Sequence, residues 1–243
     1  WNSPWITVLY GSGSLTTFLT NTNYTMPNAG WDQILVAKLG HDTTNSIIYM
    51  RGQTFLNNIE IVTINTNRTA NVYVPLNLTN NELPNGIAVG DVNNNGSNEL
   101  VMTYGGNVPS SAIAIWDTFI TSAIYQSIPT SDIPQPVRIA DLDCEFGSNQ
   151  IIVAHGGWLH ISVNKDTASA LSFPIPYASQ YQPTGMTVGD WNNDGRLDVA
   201  LADYNYGLVL LYNNTIPTST TIVGSDTTTI GTAQYSDTIS VIV

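Results

Sequence analysis

The chain has 243 residues, 42% hydrophobic and 10% charged, and six basic residues stand against eighteen acidic ones for a formal charge of −12. That balance supplies no basic stripe for nucleic acid or anionic lipid. Scarce charge with plentiful Ile, Val, Tyr and Thr excludes a disordered chain and favours β-structure, and no apolar run reaches the roughly 18 residues of a spanning helix.

Taken in chain order, the first segments are "PWITVLYG" and "LTTFLTNTN". Both have strand length and no helical period. After them comes "ILVAKLGHDTTNSIIYMRG", Ile34 to Gly52, an apolar run, a polar loop and a second apolar run. The same plan returns in "IAVGDVNNNGSNELVMTYGG" (Ile87 to Gly106), "VRIADLDCEFGSNQIIVAHGG" (Val137 to Gly157) and "MTVGDWNNDGRLDVALADYNYG" (Met186 to Gly207). Laid over one another without gaps, the copies align Asp91, Asp141 and Asp190, and place Lys38 of the worn first copy where the others have that Asp. A repeat of about 50 residues is the signature of a repeat architecture.

Each copy reads as four short strands: an apolar run before the loop, one after it ("ELVMTY", "LDVALA"), a third after a glycine turn ("AIAIW", "LHISV", "LVLLY"), and a more polar fourth. Links bearing Pro84, Pro134 with Pro136, or Pro183 restart the cycle. Four strands per repeat make one propeller blade. The sequence therefore predicts an all-β β-propeller in one domain over 1–243, with repeats at about 30–82, 83–133, 134–182 and 183–229. The tail segments "GTAQYS" and "DTISVIV" read as first and second strands, and the opening pair as third and fourth. Together 1–29 and 230–243 make one more blade, giving five, the last shared between N- and C-termini, with Ile239 and Val241 facing Ile6 and Val8.

The loops gather acids and amides between apolar runs, the oxygen-rich composition that suits a hard divalent cation. The unit "VGDxNxDGxxDxxx" with its following strands resembles the FG-GAP or VCBS repeat of integrin α-subunit-like propellers and secreted microbial surface proteins. The resemblance covers nearly the whole chain and is strongest at Asp190. It implies that the loop between the first two strands binds Ca²⁺. Side chains at loop positions 1, 3 and 5, a carbonyl at 7 and a side chain at 9 then form the ligand set, with a bend at 6. In the last copy these are Asp190, Asn192, Asp194, the Arg196 carbonyl and Asp198. In the middle copy they are Asp141, Asp143, Glu145, the Gly147 carbonyl and Asn149, with Phe146 at the bend. In the earlier copy they are Asp91, Asn93, Asn95, the Ser97 carbonyl and Glu99. The worn loop is expected to hold no ion, the Lys38 ammonium lying among the loop oxygens instead.

Other residues carry weaker signals. Five Asn-x-Ser/Thr sequons, at Asn23, Asn67, Asn77, Asn95 and Asn213, are candidate N-glycosylation sites, although chance alone gives about 5 in so Asn- and Thr-rich a chain. The single Cys144 cannot form an internal disulfide. His41, His155 and His160 have no metal-ligand spacing, no Ser sits in a nucleophile elbow, and the acids belong to the loops, so no enzyme is expected. Tyr104, Trp158, Tyr204 and Tyr206 fall near the turns between second and third strands, as candidate glycan contacts or as packing between blades. Trp116 and Trp191 are expected to pack between blades.

The leading expectation is an extracellular, calcium-stabilised propeller, its signal peptide already removed, acting as an adhesion or structural module of a cell-surface assembly or filament. A carbohydrate-binding lectin is the alternative, and a polysaccharide-active enzyme or its accessory domain the least supported. The expected partners are other protein subunits or cell-surface glycans, or further copies of the chain joined by strand addition, with no nucleic acid and no direct membrane insertion.

Overall fold

A computed structural model describes residues 5–11, 13, 18–25, 33–40, 44–50, 59–76, 84–105, 112–116, 126–130, 133–143, 149–156, 160–164, 173–176, 183–204 and 206–214. Among them the regular elements are all strands. A hairpin of β1 (Trp5–Gly11) and β2 (Phe18–Thr25) comes first. A sheet of β3 (Gln33–Ala37), β4 (Ser46–Met50), β5 (Ile59–Ile64) and β6 (Ala70–Leu76) follows. The second sheet holds β7 (Pro84–Gly90), β8 (Glu99–Tyr104), β9 (Ala112–Trp116) and β10 (Gln126–Pro129). The third holds β11 (Ile133–Ala140), β12 (Gln150–Gly156), β13 (His160–Asn164) and β14 (Phe173–Pro176). The fourth holds β15 (Pro183–Gly189), β16 (Asp198–Asp203) and β17 (Gly207–Leu211). Every sheet is an antiparallel meander in chain order, so the repeats predicted from the loops are separate sheets.

Proline marks the start of three of these sheets. In β7–β8, β11–β12 and β15–β16 the register slips just after Pro84, Pro134 and Pro183. Proline has no N–H to give the ladder, and an irregularity at the strand entrance accommodates that loss. The worn copy has Gln33 at the head of β3, and its pairing with β4 is regular. The Gln33 side chain instead bridges to the next sheet: its Nε2 donates to the Ile87 carbonyl and its Oε1 accepts from the Ile87 amide, both at 3.0 Å.

The sheets stack face to face, which explains why so many strands read as continuous apolar runs. Side chains alternate across a strand, and here both faces are covered. Leu100, Met102, Ala114 and Trp116 join Ile48, Met50, Ile59 and Ile61 of the first sheet in one buried cluster. Their neighbours Val101, Ile113 and Ile115 turn the other way, onto Val137, Ile151 and Val153. Ile152 and Ala154 then face Met186, Val199 and Leu201. Each fully buried large side chain contributes about 1.5–3 kcal/mol relative to exposure. At the innermost strands the approach is closer still: a Cβ on Gly90 would lie 2.8 Å from Ile139 Cγ2, so β7 meets β11 only because Gly90 has none.

The hairpin packs on the outer face of the first sheet, with Ile6, Val8 and Tyr24 against Ile47, Val62, Ile64 and Ala70. A polar cluster fixes it there. Tyr10 and Tyr24 share a hydroxyl hydrogen bond of 2.5 Å, Tyr24 donates to the Arg68 carbonyl at 2.9 Å, and the Arg68 guanidinium lies 4.5 Å from the Tyr10 ring centre. Burial, then the adjacent Tyr10 hydroxyl, raise the Tyr24 phenol above its ordinary value. The tail segments 231–236 and 237–243, the C-terminal half of the expected shared blade, lie outside the described residues.

Candidate metal loops and their linkage

The loops at Asp91 and Asp190 have the same conformation, written by the same hydrogen bonds. Asp91 accepts from the Asn95 amide (3.2 Å) and the Gly96 amide (2.8 Å), and Asp190 accepts from the Asp194 amide (3.1 Å) and the Gly195 amide (2.9 Å). The third-position amide oxygens, on Asn93 and Asn192, reach the same fifth-position nitrogens at 3.1 Å. The fifth-position side chains take the seventh-position amides, Asn95 from Ser97 at 2.7 Å and Asp194 from Arg196 at 2.9 Å. Asn94 and Asn193 have φ of 57° and 59°, and Gly96 and Gly195 of 81° and 85°. Asn tolerates the left-handed region and Gly enters it freely, which is the physical reason for Asn-Gly and Asn-Asp-Gly here.

At position 9 the carboxylates turn inward. Asp198, fully buried, accepts from the Trp191 amide at 3.0 Å and the Asn213 amide at 2.8 Å. Glu99, equally buried, accepts from the Val92 amide at 2.8 Å and from Asn93 Nδ2 at 3.2 Å. Oxygens at positions 1 and 3 converge on one nitrogen, and the donor set of side-chain and main-chain oxygen is chemically that of a calcium loop. In donor chemistry these residues suit such an ion, but among the described residues no three Asp, Glu, His or Cys side chains gather closely enough to hold one. One neighbour competes with it: the Arg196 guanidinium pairs with Asp194 at 2.5 Å. Slight desolvation raises the Asp194 carboxyl, but the Arg196 amide, Asn192 and the Arg196 charge together hold it below the usual carboxylate range.

The middle loop corrects the gapless alignment. There the Leu142 amide donates to Gln150 Oε1 at 2.5 Å, the bond that Val92 gives Glu99 and Trp191 gives Asp198. Gln150, not Asn149, therefore occupies the ninth-position role, and the loop is one residue longer than its relatives. Asp141 and Asp143 are half-buried. Cys144, Glu145, Phe146 and Gly147 lie outside the described residues, as do Trp158, Asn77 and His41.

Sequence reasoning missed what Asn149 does. Its Nδ2 donates to the Asp91 main-chain carbonyl of the preceding sheet at 2.8 Å, and Asn98 does the same to the Lys38 carbonyl at 2.9 Å. Each loop is thus latched to the loop before it, and the shared Gly-Ser-Asn of "GSNE" and "GSNQ" was the available signal. In the last loop Leu197 stands in that place. Asn213 supplies the latch from beyond β17, its Nδ2 donating to the Leu142 carbonyl (2.5 Å) and the Leu197 carbonyl (3.1 Å). Lys38 uses its carbonyl, while its side chain is exposed, which corrects the expectation of an ammonium among loop oxygens.

The aromatics separate. Tyr104 is buried in the cluster between the first two sheets, with its hydroxyl 3.3 Å from Ser127, so it packs between sheets and cannot stack on a glycan. Trp116 is buried beside it. Tyr204 is 80% and Tyr206 58% exposed, and Trp191 lies half open over Gly189. Of the sequons described, Asn67 and Asn95 are exposed in loops, and Asn23 is exposed on β2, where it accepts from Thr7 Oγ1 at 2.8 Å. His155 is buried in β12.

No protein-family model and no curated protein sequence matches this chain. Among solved structures it is similar to BBS1N, determined in complex with ARL6DN, at a TM-score of 0.52 and 17% identity over 86% of this chain. That neighbour is a β-propeller. The chain spans 65% of the neighbour's length, and at this identity the likeness speaks to the fold alone: an all-β chain of propeller type.

Proposed function

We propose that the chain is an extracellular, five-bladed, calcium-stabilised β-propeller serving as an adhesion or structural module of a cell-surface assembly. The observation that carries this reading is the shared conformation of the Asp91 and Asp190 loops, whose first-position carboxylates accept from the same fifth- and sixth-position amides at the same place in two sheets. In the Asp190 loop the ion would be held by Asp190, Asn192, Asp194 and the Arg196 carbonyl, with Asp198 shaping the loop from beneath. The ion supplies positive charge that ties the first two strands of a sheet together. Three such ions would halve the formal charge of −12. Support for a protein partner comes from BBS1N, a propeller solved with another protein bound.

The test is calcium titration by calorimetry, with melting followed in calcium and in a chelator. Binding that Asp190→Ala weakens sustains the reading, while an unchanged melting temperature and no calorimetric signal refute it. A glycan-binding role has one observation in its favour, the two exposed tyrosines Tyr204 and Tyr206 on one turn. Glycan-array binding lost in Tyr204→Ala would establish it.

A further inference from the structure

Two Asn-Gly pairs occur in the chain, Asn85-Gly86 and Asn95-Gly96. Such a pair is chemically vulnerable, because glycine carries no Cβ to hinder its own nitrogen from approaching the side-chain amide of the residue before it. The fold treats the two pairs in opposite ways. Asn85 is half-buried in β7, and its Nδ2 donates to the Gly105 and Pro134 carbonyls, each at 2.8 Å. Gly86 is buried, and a Cβ there would lie 2.9 Å from the Gln135 carbonyl oxygen, so this pair has no room to close a ring. Asn95 and Gly96 are exposed, and a Cβ on Gly96 would meet nothing within 4 Å.

At Asn95 three groups converge. Its Oδ1 accepts from the Ser97 amide at 2.7 Å, an Asx-type closure that folds the side-chain amide back over the peptide link between residues 95 and 96. The nitrogen of that link, on Gly96, donates to Asp91 Oδ2 at 2.8 Å. The amide carbon of Asn95 therefore has a nitrogen beside it, an N–H on its oxygen, and a carboxylate on the proton of the attacking nitrogen. A donor aimed where negative charge develops lowers a barrier. So does a base within hydrogen-bond reach of the proton it removes.

We infer that the Asp91 loop modifies itself by deamidating Asn95. The Gly96 nitrogen attacks Asn95 Cγ, its proton passes to Asp91 Oδ2, and the new C–N bond closes a five-membered succinimide. Negative charge forming on Oδ1 is met by the Ser97 N–H. As the Cγ–Nδ2 bond breaks, the proton on Asp91 goes to the departing nitrogen, which leaves as ammonia. Water then adds at Cγ and breaks the ring, restoring the Gly96 N–H and leaving a carboxylate at position 95; addition at the main-chain carbonyl gives the isoaspartyl link instead. The last loop shows that the aspartyl product suits this conformation. There Asp194 stands at the same position, its Oδ1 accepting from the Arg196 amide at 2.9 Å and its amide donating to Asp190 at 3.1 Å. Deamidation adds one negative charge and makes the two loops alike in carboxylates at positions 1, 5 and 9. The chemistry needs only water and the loop's own groups, whether or not the loop holds an ion.

The experiment incubates the full, unglycosylated chain in mildly alkaline buffer, folded and in denaturant. Peptide mass mapping follows the replacement of NH₂ by OH at Asn95 and Asn85, and released ammonia is assayed. Asn95 should convert at least about tenfold faster in the folded chain than in denaturant, while folding slows Asn85. Asp91→Asn keeps an acceptor for the Gly96 amide but removes the base, and should slow Asn95 by about tenfold or more, with continued protection of Asn85 reporting that the chain is folded. Conversion of Asn95 no faster folded than denatured overturns the inference, because the loop then adds nothing to the bare Asn-Gly pair. An unchanged rate in folded Asp91→Asn overturns it as well. So does a glycan on Asn95 throughout the natural protein, since the nitrogen that must leave is then substituted.

Discussion

The Asp91 and Asp190 loops share the hydrogen bonds that their second-, fifth-, sixth- and seventh-position amides donate and differ in charge and in attachment. The first has carboxylates at positions 1 and 9 and amides between them, and the second adds Asp194. The first is latched to the preceding sheet by its own Asn98, the second by Asn213 just beyond β17. Loop shape therefore comes from Asn and Asp side chains bonding nearby amides, which works with or without a third carboxylate. Affinity for a cation depends on the added charge, and seating in the stack depends on the latch.

The largest effect is expected from the ninth-position acids, which hold both loops to the underlying strand. Asp198→Ala strands two main-chain amides, those of Trp191 and Asn213. Leaving buried donors unmet costs about 1–3 kcal/mol each, so urea unfolding should show a loss of about 2–6 kcal/mol. Glu99→Ala strands the Val92 main-chain amide and a side-chain amide that can turn to water, and should lose less. Equal losses would mean that the two loops are seated alike.

Calcium sharpens the contrast in charge. An ion that binds only the folded state adds about 2.7 kcal/mol at a hundredfold excess over its Kd. The Asp190 loop should respond at lower calcium than the Asp91 loop, and Asp194→Asn should bring the two together. Acid provides the sign. The Asp194 carboxyl is held below its ordinary 3.8 in the fold, so its contribution is present above that value and is lost as pH falls through the lower folded value. Calcium-dependent melting should fade over the same acid range. A calcium response that survives Asp194→Asn in full would break the proposed ranking.

Gly96→Ala and Gly195→Ala test the part the loops share. Both glycines are in the left-handed region and a Cβ on either meets no neighbour within 4 Å, so the cost is that of the backbone alone, about 1–2 kcal/mol. The two losses should agree, measured without calcium.

Sheet boundaries were legible because a strand buried on both faces shows as an apolar run, and because "ELVMTY" and "AIAIW" are bounded by polar loops and glycine turns. The loop conformation was legible in Asp190, Asn192, Asp194 and Gly195, since local side-chain bonds write it. Inter-sheet contacts were not. Tyr104 at the end of β8 shares a face with Met102 and is buried against the first sheet, which decides for packing between the two readings its place near a turn left open. Gln150 replaced Asn149 because a one-residue insertion in a loop leaves no periodic trace. The latches join residues about 60 to 70 apart in the chain, and nothing local to Asn98, Asn149 or Asn213 names the carbonyl each will meet.

The latches give the smallest expected effect and the most specific one. A neutral side-chain hydrogen bond contributes about 0.5–1.5 kcal/mol net, so Asn98→Ala and Asn149→Ala should each lower stability by about that amount. Asn213→Ala should cost more than either, because its Nδ2 serves two carbonyls at once. It also bears on modification. Asn213 begins a sequon, and a glycan is attached through the same Nδ2 that here donates to Leu142 and Leu197. Attachment would remove one of its two donor hydrogens and place a bulky sugar between adjacent sheets. Mass spectrometry of the natural protein should find the Asn213 peptide unmodified, whereas Asn67 is exposed in the β5–β6 turn with only its Oδ1 engaged, accepting from Thr69, among the described residues. A glycan on Asn213 in a chain as stable as one lacking it would show that the last loop is held by Asp198 alone, and the distinction between the two loops would then rest on charge.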